Sequence, residues 1–192
     1  MNQKWTQKAM AEVAAQERHD LGLGPMDPLD PYALAEAHGI PVYPISELEE
    51  SGCARATIQH FLVTRKKAWS AAIVPIGPAR LILENDAHEH VRRRSTIAHE
   101  LSHHLLEHAF PETLLTQEHD RVFSPTVEKQ AQFLSSALLV PEQAARKLAF
   151  KDADNATVAE HFNISTQMAQ LCMKGARVYA ANARRKQARA DR

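Results

Sequence analysis

The order of apolar and polar positions changes character along the chain. From about Gln3 to His19, Ala, Glu, Gln and Lys dominate, a composition that favours a helix. Leu21 to Pro31 is rich in Gly, Pro and Asp and reads as a loop. Asp30-Pro31 supplies a helix start and Gly39 a stop, which predicts a short helix near Tyr32–His38. Ile40 to Ile45 is extended but interrupted by prolines, so it fits at best an edge strand. Short β-favouring runs follow at His60–Thr64, Trp69–Pro75 and Ala79–Glu84, separated by turn-like segments. They predict a small antiparallel sheet, with Gly77-Pro78 as a hairpin turn.

After Asn85-Asp86 the helical pattern returns. Arg92 to His108 has no breaker and can carry about four turns, with Pro111 as its limit. A loop is expected up to Phe123. Ser124-Pro125 then offers an N-cap and a first-turn proline for a helix that Pro141 ends. Leu134, Leu138 and Val127 or Ala131 fall on one apolar stripe of it. The remainder reads as all helix: Pro141 to Phe150, Asp154 to Phe162, a tight turn at Asn163-Ile164, and Ser165 to Lys174 with Ser165 as N-cap. The tail from Arg177 to Arg192 carries six Arg or Lys against one Asp and is expected to be a frayed basic helix.

Composition narrows the function classes. The chain has 192 residues, 44% apolar and 24% charged, ordinary for a soluble globular domain. Lys plus Arg is 23 and Asp plus Glu is 23, so the net charge is zero. That balance argues against a binder held to nucleic acid or membrane by charge. No apolar run approaches the roughly 18 residues that a membrane span needs. The N-terminus has no signal-peptide apolar segment, and two cysteines make no disulfide framework. A reduced, cytoplasmic protein is expected. Eleven histidines raise the expectation of a metal.

The chemistry is concentrated in Ser95-Thr-Ile-Ala-His99-Glu100-Leu-Ser-His103-His104, which contains H-E-x-x-H. Residues i and i+4 share one face of a helix, so His99 and His103 can aim at one ion, at roughly 2.0–2.1 Å for zinc. Glu100 points past that ion and can take a proton from a water there and later pass it to a leaving amine. Ile97, Leu101, Leu105 and Leu106 flank the motif and suit a half-buried helix. A catalytic zinc commonly has three protein ligands and one open position. The extended motif that would supply the third ligand fails, because Leu106 and Ala109 stand where Gly and His are needed. Glu107 lies about 12 Å along the helix from His99, too far to share its ion. The third ligand must come from elsewhere. Glu128, near the start of the next helix, is the best candidate; Glu112 and Glu118, in the loop, compete with it.

Three strings together resemble a known family. They are Ile82-Leu-Glu-Asn-Asp-Ala-His88, Arg93 to His103, and Glu128-Lys-Gln-Ala-Gln-Phe-Leu-Ser-Ser-Ala-Leu-Leu-Val-Pro141. The chain is similar in them to the ImmA/IrrE family of metallo-endopeptidases, and the stretch from Asp30 to Val42 resembles that family's N-terminal helix and strand. The resemblance covers roughly residues 30–175. It departs at Leu134, Ser135 and Gln130, where the family often has Phe, Ala and a second Glu. Gln130 leaves Glu128 as the ligand choice in that helix.

The resemblance implies an α+β, zincin-like core, in which a small antiparallel sheet precedes the active-site helix and helices lie at both ends. Residues 1–145 would form the peptidase core, and 146–192 a helical appendix with a basic tail, as one structural unit. One Zn2+ per chain would be held by His99, His103 and Glu128, with Glu100 as general base and acid. The implied activity is that of a regulatory endopeptidase that cleaves a helix-turn-helix transcriptional repressor. The other reading is a non-catalytic protein of the same fold that binds a regulator, in the manner of a toxin–antitoxin partner. Glu100 favours the enzyme, since a structural site has no use for a base there. Ala159 to Ser165 also reads like part of a helix-turn-helix, but the candidate second helix has no Arg or Lys before Lys174, which argues against direct DNA contact. The Trp69–Pro75 strand is the expected edge for an extended peptide substrate.

Overall fold

Local capping sets most helix boundaries. The computed structural model describes residues 5–109 and 124–190. Helix α1 (Gln7–Asp20) is capped by Thr6, whose side chain accepts from the Ala9 N–H. Helix α2 (Pro31–Ala37) is capped by Asp30, accepting from Tyr32, with Pro31 in its first turn. Gly39 follows at φ +64, in the left-handed region that lets the chain leave the helix without a Cβ clash. Strand β1 (Val42–Pro44) comes next.

The run at His60–Thr64 is not a strand. Helix α3 (Arg55–Gln59) continues through it as a π-helical turn, closed by the Arg65 N–H on the His60 carbonyl at 2.7 Å. Its β-branched composition is overridden by tertiary contacts. Asn85 is fully buried, and its Nδ2 donates to the carbonyls of Phe61, Lys66 and Trp69 at 3.1–3.2 Å. Those bonds hold the segment folded, and Phe61 packs edge-on against Trp69.

Strands β2 (Ala71–Ile76) and β3 (Ala79–Glu84) form the expected hairpin, turned by Gly77 at φ +56. The sheet order is β1-β3-β2, and β1 runs parallel to β3. The sheet is therefore mixed rather than antiparallel. The segment between β1 and β2, with α3 in it, gives the long crossover that a parallel pair requires. β1 and β2 are the edge strands.

Helix α4 (His90–Leu105) packs on α2, β2, β3 and α5 (Pro125–Leu139). Ser124 caps α5 through the Val127 N–H. Ala131, Leu134 and Leu138 form its buried stripe, while Val127 is only half-buried. Glu142–Phe150 (α6), Asn155–Phe162 (α7) and Thr166–Ala190 (α8) complete the chain. Asn163, at φ 52, makes the left-handed turn between α7 and α8. The helix expected over Ser165–Lys174 and the basic helix expected in the tail are one element, and α8 runs unbroken for 25 residues. Ala176 and Ala180 continue the buried stripe begun by Met168, Ala169 and Met173, so packing carries the helix onward. Two of the tail's arginines also have partners. Arg177 donates to Asn155 and the Ala153 carbonyl, and Arg184 to Asp152 and the Phe150 carbonyl.

Two apolar clusters result. One joins α1, α2, the sheet, α4 and α5, with Ile73, Ile82, Ile97, Leu101, Leu134 and Leu138 at its centre. The other joins α6, α7 and α8 around Phe162 and Met173, with Ala98 and Leu139 closing it. Two buried arginines tie together segments far apart in the chain. Arg18 donates to the carbonyls of Leu138, Gly24 and Asp27. Arg94 donates to the Asn163 and Leu29 carbonyls and to Asp30.

Candidate metal centre

The expected H-E-x-x-H helix is α4, and its spacing does what helical geometry requires. His99 and His103 sit one turn apart on one face, with their Nε2 atoms 3.2 Å apart. Helix α5 brings Glu128 against them. Its Oε2 lies 3.1 Å from His99 Nε2, and its Oε1 lies 3.5 Å from His103 Nε2. The ligand atoms of these three residues all fall within 4.8 Å of one another, the one such group of His, Cys, Asp or Glu found among the described residues.

This donor set fits a metal ion. Ligands placed tetrahedrally at roughly 2.0–2.1 Å from zinc stand about 3.3–3.4 Å from each other. The two contacts of His99 Nε2, at 3.2 and 3.1 Å, lie close to that edge, and the other oxygen of the Glu128 carboxylate stands 3.5 Å from His103 Nε2. Two imidazole nitrogens and a carboxylate are also the donor chemistry of a His, His, Glu site. Burial is graded across it: the His103 side chain is 1% exposed, His99 24% and Glu128 44%. One flank of the group therefore faces protein and the other faces solvent.

Glu100 lies beside this group and is 5% exposed. A buried carboxylate needs hydrogen bonds. The Ile73 N–H donates to Glu100 Oε2 at 2.9 Å. Ile73 pairs with Ile82, whose own N–H turns away to Pro41, so Ile73 N points off the hairpin on the side of β2 opposite β3. The outer edge of β2 thus runs along the site. Pro75 sits two residues on, where a strand edge tolerates a missing donor.

The sequence reading missed one pair of residues. Helix α4 ends in a reversal at Glu107 (φ 51), where the His108 N–H closes back on the His103 carbonyl at 3.0 Å. This turn folds the buried His108 under the site. His108 Nδ1 lies 3.1 Å from His103 Nδ1, and His108 Nε2 lies 3.1 Å from Gln130 Oε1 on α5. Burial pushes the His108 pKa below its ordinary value. No sequence signal pointed here, because the reversal uses a glutamate where glycine is usual.

The other histidines have separate partners. His104 accepts from the Arg80 guanidinium at 2.8 Å, and burial first, then Arg80, lowers its pKa. His38 pairs with Glu17 at 2.7 Å. His88 lies 3.1 Å from the Trp69 carbonyl, and its pKa is lowered, chiefly by burial. His90 is exposed at the start of α4. Glu112 and Glu118 lie outside the described residues.

A half-buried H-E-x-x-H helix beneath a small sheet, met by a glutamate from the next helix, defines the α+β, zincin-like class of metallopeptidase. The family model for the M78 peptidases, described as the IrrE N-terminal-like domain, matches residues 35–173. The chain belongs to this family, the ImmA/IrrE metallopeptidases. No curated protein matches the chain. No helix among the described residues is long and apolar enough to cross a membrane.

Proposed function

We propose that this protein is a zinc-dependent endopeptidase and that its substrate is a helix-turn-helix transcriptional repressor in the cytoplasm. The observation that carries the catalytic reading is the convergence of His99, His103 and Glu128 beside a buried Glu100 that the edge strand holds in place. Those three residues would hold the ion. When bound, zinc polarises the scissile carbonyl and lowers the pKa of water at the site.

The remaining work falls to the chain itself. The Ile73 N–H bond fixes the direction of the Glu100 carboxylate. Glu100 takes one proton from the attacking water as its oxygen bonds to the carbonyl carbon. It then delivers that proton to the amide nitrogen as the C–N bond breaks, leaving a carboxylic acid and an amine, and passage of the acid's proton to the amine gives carboxylate and ammonium. An extended peptide would lie along the outer edge of β2, where main-chain groups can pair with it. The repressor as substrate rests on the family resemblance of the three sequence strings.

The test is co-expression with a helix-turn-helix repressor encoded beside the gene, read by intact mass, for wild type and Glu100→Gln. Repressor fragments that appear with wild type and not with the variant support the reading. A repressor that stays whole in the presence of zinc yet co-purifies overturns it in favour of a binding protein of the same fold.

A further inference from the structure

A histidine that ligates a metal through one ring nitrogen must carry its proton on the other. This condition propagates outward through the structure. If His103 ligates through Nε2, its proton sits on Nδ1. The atom facing His103 Nδ1 is His108 Nδ1, at 3.1 Å, so His108 Nδ1 must accept. His108 then carries its own proton on Nε2. The atom facing that nitrogen must in turn accept, and it is Gln130 Oε1, at 3.1 Å. Each link has the polarity the next one requires, and the chain ends at an amide oxygen, which has no proton to misplace.

We propose that His108 and Gln130 form a positioning relay that locks His103 in its ligating tautomer and ring orientation. The inference rests on the metal reading above. Its frame is rigid: the His108 N–H bonds the His103 carbonyl at 3.0 Å, the reversal at Glu107 fixes the turn, and Gln130 rides on α5, the helix that carries Glu128. One element therefore positions both the third donor and the end of the relay. Neither His108 nor Gln130 would touch the ion. Their role requires an acceptor at position 130, so a carboxylate there should serve as well as the amide, and an aliphatic group should not.

The experiment measures zinc affinity by competition with a chromophoric chelator, together with the unfolding midpoint of the zinc-free protein, for wild type, Gln130→Glu, Gln130→Leu and His108→Phe. Wild type should bind one zinc. Gln130→Leu and His108→Phe should bind it about 10- to 100-fold more weakly, the usual loss when such a partner of a ligand is removed. Gln130→Glu should retain wild-type affinity or exceed it. Ring 15N shifts and long-range couplings of the zinc-loaded wild type should show His108 protonated on Nε2. If His108→Phe does not fold, the two Gln130 variants and the tautomer decide alone.

Equal zinc affinity in wild type and Gln130→Leu would overturn the relay while leaving the metal site intact. So would a His108 proton on Nδ1, or a Gln130→Glu that binds as weakly as Gln130→Leu. A wild type that binds no zinc would instead overturn the metal reading, and the relay with it.

Discussion

The two apolar clusters differ in what else they bury. Among the described residues, every buried polar or charged side chain lies before Pro141: Arg18, Glu84, Asn85, Arg94, Glu100, Ser102, His103, His108 and Ser135. The cluster around α6, α7 and α8 is apolar throughout, and its arginines bond at the rim. A buried polar group is destabilising unless bonded, so the sheet-side region needs a partner for each. Glu84 takes Arg93 and the Tyr32 hydroxyl. Asn85 takes three carbonyls. Glu100 takes an edge-strand amide, and His108 takes a histidine and a glutamine. The helical cluster contributes stability with little chemistry; the sheet-side cluster is built around the chemistry.

This contrast can be broken by experiment. The largest effect should come from Glu100→Gln, with cleavage falling about 10²- to 10⁴-fold while zinc still binds. Rate and metal content measured on one preparation check it. Phe162→Ala, in the fully buried centre of the helical cluster, should cost about 3–5 kcal/mol in urea unfolding and leave zinc affinity at the wild-type value. Loss of zinc affinity in that variant would show that the clusters are not separable. Leu138→Ala should cost a similar amount, about 2–5 kcal/mol, but should also weaken zinc, since Leu138 seats the helix that carries Glu128.

Smaller effects sharpen the comparison. Ser124→Ala removes the cap of α5 and should cost about 1 kcal/mol, with a measurable loss of zinc affinity from fraying near Glu128. The smallest concerns Cys172, beside the helical cluster. Burial pushes its thiol up to about 11 from an ordinary 9.0. Because the folded value is the higher one, this contribution to stability is complete below about pH 9 and fades as pH rises toward about 11. Cys172→Ala should flatten the stability profile in that window, as followed by chemical unfolding at each pH.

Apart from α3, which has no side-chain cap and was not foreseen, the helices of both regions were legible because their signals are local. Thr6, Asp30, Ser124 and Asp154 each cap the helix they precede, and a residue's capping bond reaches only two or three positions along the chain. The apolar stripe of α5 and the H-E-x-x-H face of α4 follow from helical periodicity alone. The misreadings fall where distant contacts outweigh local preference. His60–Thr64 has strand composition, yet Asn85 holds it as a helical turn. The tail beyond Lys174 has the helix-favouring composition the sequence suggested, and what the sequence did not show is that α8 runs into it without a break, with α6 and the segment before α7 bonding Arg177 and Arg184.

By itself, the sequence determined the capped starts of α2, α5 and α7, the hairpin, the pairing of His99 with His103 on one face, and the placing of Glu100 beside them. These depend on backbone geometry over one or two turns. The tertiary structure decided the parallel seat of β1, the meeting of Glu128 with the two histidines, the amide that holds Glu100, and the turn that sets His108 and Gln130 behind His103. Each of those joins atoms from different elements. Only the packing of α4 against α5 and the sheet brings them within a few ångströms, because polar groups buried there must find their partners across the fold.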